Sequence, residues 1–108
     1  MGLEPGERFG RLAQRFVDDP AVTHGTGFGS NPGLRVGGRI FAMLVRDQLV
    51  VKVPRTRVDE LVASGQGARF EPGTGKVMTE WASVPPGSSA DWDALATEAF
   101  DFVARSRR

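Results

Sequence analysis

The chain has 108 residues, 40% hydrophobic and 25% charged, and a formal net charge of +1. These are the values of one globular domain with enough apolar material for its own core, and they give no whole-chain reason to bind nucleic acid or an anionic membrane. The absence of cysteine excludes disulfides, thiolate nucleophiles and cysteine-ligated zinc or iron–sulfur sites, and no apolar run approaches the ~20 residues of a membrane span.

The first residues, MGLEPGERF, lack the basic-then-apolar pattern of a secretory signal, so a cytoplasmic protein is expected. Residues 5 to 18 have helical spacing, with Phe9, Leu12, Ala13, Phe16 and Val17 on one apolar stripe, Pro5 in the first turn and Pro20 as a stop. Residues 21 to 28 read as a first strand weakened by Gly25 and Gly27. A meander follows, with strands at 34–36, 39–45 and 49–53. Gly37-Gly38 closes its first hairpin, because both positions of such a turn favour positive φ. Arg46-Asp47-Gln48 makes the second reversal.

Pro54 opens a second helix, over 54–64, with Val58, Leu61 and Val62 inward and Gly65 as its C-terminal cap. Ala68 to Phe70 reads as a short strand, Pro72 to Gly75 as a turn, and residues 76 to 84 alternate as a further strand or a pair of short strands. A last helix spans 90–104, capped by Ser88 or Ser89 and with Asp91 in its first turn. Trp92, Leu95, Ala96, Ala99, Phe102 and Val103 form its inner stripe. The order predicts an α+β fold, a two-layer domain of three helices on an antiparallel sheet of about five strands.

The middle strand is apolar on both sides. Strict alternation puts Ile40, Ala42 and Leu44 on one face and Phe41, Met43 and Val45 on the other. The helices cover one face and leave either set on the other, so Phe41, Met43 and Val45 are a candidate partner face. A second copy of the chain is the simplest cover, a heterologous regulatory partner the alternative, and the helix after Pro54 folding across the sheet the cover from within the chain.

Chemical motifs are sparse. Gly73-Thr74-Gly75-Lys76 lacks the first glycine and the Ser or Thr of a phosphate loop, and reads as a turn. The spaced glycines from Gly25 to Gly29 precede a hairpin rather than a helix, so no dinucleotide site is expected. His24 is the sole histidine, with Thr26 and Ser30 nearby but neither marked as an activated nucleophile, and it reads as a polar strand residue. No cofactor and no transition metal are expected. Lys52 reads as an outward side chain or an edge-strand charge, with a pocket amine as the alternative. Trp81 belongs either to the core or to the wall of a shallow pocket, and His24, Lys52 and Trp81 are the candidate pocket residues. Arg35, Arg39, Arg46, Lys52, Arg55 and Arg57 form the one local basic bias, a solvated face or a nucleic-acid surface.

The order of short motifs resembles the YjbR-like and TfoX N-terminal-domain-like proteins. These motifs are Phe28-Gly29, Gly37-Gly38, Phe41-Ala42, Arg46-Asp47, Lys52, Trp81 before Val84-Pro85, and Asp91-Trp92, over roughly residues 8 to 103. The resemblance implies an α+β fold with an antiparallel sheet and residues 1–108 as one such domain. TfoX-like proteins are associated with regulation of competence genes, and many YjbR-like proteins carry a DNA-binding label. No catalytic residues carry over. The first functional expectation is a non-enzymatic domain acting through protein–protein contacts, with transcriptional regulation as its setting, as a homodimer or with a protein partner. Weakly specific DNA binding is the second, and a small-molecule or enzymatic pocket at His24, Lys52 and Trp81 the third.

Overall fold

The structure is a computed structural model that describes residues 4–26, 32–71 and 78–106. The element order is α1 (Pro5–Gln14), β1 (Val22–Thr26), β2 (Pro32–Val36), β3 (Arg39–Val45), β4 (Gln48–Lys52), α2 (Arg55–Ala63), β5 (Ala68–Arg69), β6 (Trp81–Val84) and α3 (Trp92–Ser106). The six strands form one sheet in the order β1-β2-β3-β4-β6-β5. Every pairing is antiparallel, as the hairpin-connected sequence predicts. The sheet thus holds one strand more than about five. The predicted turn at Pro72 to Gly75, the loop around Phe28-Gly29 and Ser30 lie outside the described residues.

Local chemistry sets the element ends. Gly37 and Gly38 have φ of 59° and 82°, the mirror-image turn that matches strand twist. The second hairpin uses the same geometry without glycine, since Arg46 and Asp47 have φ of 51° and 66°; Gln48 already belongs to β4. At the end of α2, Gly65 takes φ 76°. Its N–H donates to the Val62 carbonyl at 3.1 Å, and the Gln66 N–H donates to that of Leu61 at 2.9 Å, which satisfies two of the last helical carbonyls.

Helix α1 is shorter than the predicted 5–18. After Gln14 the N–H groups of Arg15, Phe16 and Val17 bond three residues back, to Leu12, Ala13 and Gln14. This winding is tighter than α, with about three residues per turn. Phe16 stays buried while Val17 rotates out and is 56% exposed, against the expectation that it faces inward. On α2, Val58 and Leu61 are fully buried, but Val62 lies off that line at 36% exposed, a second correction to the predicted stripe. The cap of α3 is Asp91 rather than Ser88 or Ser89: its Oδ1 accepts from the N–H groups of Asp93 (2.9 Å) and Ala94 (3.4 Å). Ser88 instead donates to the Gln66 carbonyl at 2.6 Å and ties the two connections together. Arg8 clamps α1 to the start of α3, with its guanidinium 4.0 Å from the Trp92 ring centroid and a 2.7 Å bond to the Pro86 carbonyl.

The main departure from the sequence reading is in β3. Leu34 pairs with Ala42 but Arg35 pairs with Ile40, so Phe41 is an extra residue, a β-bulge. The bulge breaks the alternation. Phe41 joins Ala42 and Leu44 on the helix side, packed against Phe16 and Phe100 with ring centroids 5.3 and 5.6 Å away. Ile40, Met43 and Val45 share the opposite side with Val50, Phe70 and Trp81.

That opposite side is covered by the chain itself. Phe41 and Met43 are 0% exposed and Val45 7%. Arg46, in the β3–β4 turn, donates to the carbonyl of Glu71 at 3.1 Å and lies over Phe70. Phe70 and Glu71, which follow β5, therefore lie on this side of the sheet, with Phe70 packed beside Met43, Val45 and Val50. The Met78 N–H donates to the Phe70 carbonyl at 3.1 Å. The predicted partner face of Phe41, Met43 and Val45 is thus corrected on two counts: the three residues do not share a face, and none is exposed. Met43 and Val45 pack with Phe70 and Trp81 of the same chain, which removes the reason for expecting a second copy there.

Gly67 is a point of close approach. A Cβ there would lie 3.0 Å from the Ser83 backbone oxygen in β6. Gly67→Ala is expected to destabilise the domain by about 1–3 kcal/mol, measured by urea denaturation, because a backbone neighbour cannot swing aside as a side chain can. Unchanged stability would show that β6 shifts freely.

Candidate functional site

On the sheet side away from the helices, four adjacent strands place one residue each in a transverse row. Residues opposite one another in an antiparallel pair share a face. Arg35 (β2) lies opposite Ile40 (β3), and Lys52 (β4) lies opposite Trp81 (β6). These four, with two residues of the helix side, Arg39 at the start of β3 and Val103 of α3, line a recess of about 370 Å³ that wraps around the β2–β3 hairpin end of the sheet. The bulge contributes directly, since it puts Ile40 on the side of Met43 and Trp81 rather than with Ala42 on the helix side.

The lining combines an apolar floor with three cations. Trp81 is buried, 6% exposed, and Ile40 is half-buried. The Lys52 Nζ lies 5.6 Å from the Trp81 ring centroid and 3.8 Å from the Glu80 carboxylate. The Arg35 guanidinium donates to the Gly38 carbonyl at 3.3 Å, which holds it over the hairpin. Lys52 sits on an internal strand flanked by β3 and β6, which corrects the edge-strand reading of that charge. It points outward as expected, but into a concave setting.

His24 does not belong to this recess. It pairs with Leu34, which faces the helices, so it lies on the other side of the sheet from Lys52 and Trp81. Its Nε2 is 3.2 Å from the Ala13 carbonyl. A carbonyl oxygen only accepts, so this nitrogen carries the proton and tethers β1 to the end of α1. Of the predicted pocket trio, the structure brings together Lys52 and Trp81 alone.

The predicted basic surface also divides. Arg35, Arg39 and Lys52 converge on the recess. Arg46 is at the opposite end of β3, bound to Glu71. Arg55 is exposed at the start of α2. Arg57 is committed to helix packing. Its Nε and a terminal nitrogen donate to the two Glu98 oxygens at 2.9 and 3.3 Å, and the other nitrogen donates to Glu60 at 3.2 Å. The hydrogen bond to Glu98 is the main cause that raises the Arg57 pKa. The six cations therefore do not form one continuous track.

Sequence reasoning missed Ile40 and Val103 as lining residues. A signal for Ile40 was present: a two-residue turn at Gly37-Gly38 sets Arg35 across from residue 40 by counting outward. Val103 carried no such signal, because its place depends on how α3 lies against the sheet. Compared with known proteins, the chain matches no family model, no curated protein and no solved structure.

Proposed function

We propose that this chain is a non-enzymatic binding domain of the YjbR-like and TfoX N-terminal-like kind, and that it engages its ligand at the recess below the β2–β3 hairpin. The observation that supports this reading is the row Arg35, Ile40, Lys52 and Trp81, drawn from four consecutive strands of the sheet. Sites on strands are held more rigidly than sites on loops, and an apolar floor with a few convergent polar groups is the usual composition of a ligand site. The regulatory reading through a protein partner loses its candidate surface, because Phe41, Met43 and Val45 are buried. The DNA reading loses the continuous basic track that phosphate tracking uses.

A fragment screen followed by backbone-amide NMR tests the proposal. Hits are expected to perturb Ile40, Lys52 and Trp81 together, and Ile40→Glu is expected to abolish those shifts while the fold persists. Hits that cluster elsewhere, or that survive Ile40→Glu, would overturn it.

A further inference from the structure

We infer that the recess selects a small organic oxyanion, a phosphate monoester or carboxylate carried on a compact apolar group, and that Glu80 is the resident counter-ion such a ligand displaces from Lys52. This rests on the recess being the binding site.

The charges point to the ligand's sign. Arg35, Arg39 and Lys52 all line the recess, and among the described residues no acidic one does. The Glu80 carboxylate lies 3.8 Å from the Lys52 Nζ, with both side chains part-exposed at 32% for Lys52 and 46% for Glu80. An exposed pair of this kind is weak, so an entering oxyanion replaces it at little cost. An oxyanion held by two or three donors makes shorter, charge-assisted hydrogen bonds than Glu80 offers at that distance. Arg39, exposed at the start of β3, adds a planar fork suited to carboxylate or phosphate oxygens.

The apolar lining points to the rest of the ligand. Ile40 lies between Arg35 and Lys52, and Trp81 lies on the far side of Lys52, so a bare inorganic ion leaves that floor uncovered, whereas a compact ring or short alkyl body covers it. The size of the recess, about 370 Å³, suits a small molecule. Duplex DNA presents phosphates along a length of chain, and the remaining cations needed to follow them are dispersed, with Arg46 at the far end of β3 and Arg57 engaged by Glu98.

The test is a titration of the full chain with phenyl phosphate, benzoate, inorganic phosphate and phenol, read by backbone-amide NMR at fixed ionic strength. Phenyl phosphate or benzoate is expected to bind about tenfold or more tighter than phenol, with shifts at Ile40, Lys52 and Trp81. The stronger of the two identifies the oxyanion. Inorganic phosphate is expected to bind more weakly than phenyl phosphate. Lys52→Met is expected to weaken the preferred anion about tenfold and leave phenol unchanged. Glu80→Gln is expected to tighten the anion about threefold, again with no effect on phenol. Arg39→Gln, at an exposed position, repeats the Lys52 test if Lys52→Met does not fold.

Phenol binding as tightly as phenyl phosphate would overturn the oxyanion inference and leave the recess as the binding site. Anion affinity unmoved by Lys52→Met and Arg39→Gln, or weakened by Glu80→Gln, would do the same. Shifts confined to residues outside the recess, or none with any probe, would overturn both readings. So would tight binding of a duplex oligonucleotide with shifts that spread to Arg46 and Arg55.

Discussion

Replacing Phe41 by alanine is expected to destabilise the domain by about 3–5 kcal/mol, whereas Ile40→Ala is expected to cost no more than about 2 kcal/mol. The contrast follows from the bulge. Phe41 is 0% exposed and meets Phe16 edge-on, at 5.3 Å and 66°, and Phe100 at 5.6 Å and 78°. Aromatic pairs in this geometry contribute beyond their buried area, about 0.5–1.5 kcal/mol per pair. Truncation leaves a cavity between the sheet, the end of α1 and α3, and three elements cannot all close on it. Ile40 is half-buried at the recess margin, where water replaces the lost side chain. If β3 instead alternated without interruption, Phe41 would share a face with Met43, and Ile40 would share one with Ala42. Urea denaturation of the two variants reads the difference directly. Equal losses, or a larger loss at Ile40, would show that the extra residue is not at Phe41.

This also explains which parts of the fold were legible in the sequence. The meander was legible because its turns carry their own signals beside the strands they join. Gly37-Gly38 needs nothing distant to specify it. The bulge was not legible, because every residue from Ile40 to Val45 is apolar. A polar residue arriving out of phase would have betrayed the extra position; an all-apolar run has no phase to lose. Helix interiors were legible from the 3.6 period, but the end of α1 was not, since its tightened last turn changes the period at Phe16 and Val17.

The recess was half legible for a related reason. Arg35 and Ile40 meet across a local hairpin and are fixed by counting. Lys52 and Trp81 meet across the β4–β6 pairing, whose strands are separated by α2 and β5. No local signal sets that register. His24 was grouped with them for its chemistry, and the sheet places it on the other side, because its partner Leu34 faces the helices. The six-cation cluster shows the same limit. Nearness along a strand does not mean nearness in space, since Arg39 and Arg46 flank opposite ends of β3.

Met43→Lys is expected to unfold the domain or to remove about 3–5 kcal/mol or more of its stability, while Met43→Leu is expected to cost less than about 1.5 kcal/mol. Met43 is 0% exposed and packs with Val45, Val50, Phe70 and Trp81. No polar or charged residue is buried among the described residues, so the interior offers the new ammonium group no counter-charge. The group must then lose its proton, reach water by displacing Phe70, or unfold the chain. A domain of this size has only about 5–15 kcal/mol in hand, so any of the three is a large fraction of the total. Leucine keeps the volume and the apolar character, and loses only the flexible fit of the thioether. Urea denaturation with sedimentation at micromolar concentration separates this from the interface reading. Burial by the chain's own Phe70 and Trp81 predicts that Met43→Lys lowers the denaturation midpoint. A variant with unchanged stability that sediments as a smaller species than the wild type would show the opposite: that Met43 is exposed in the monomer and covered by a second copy.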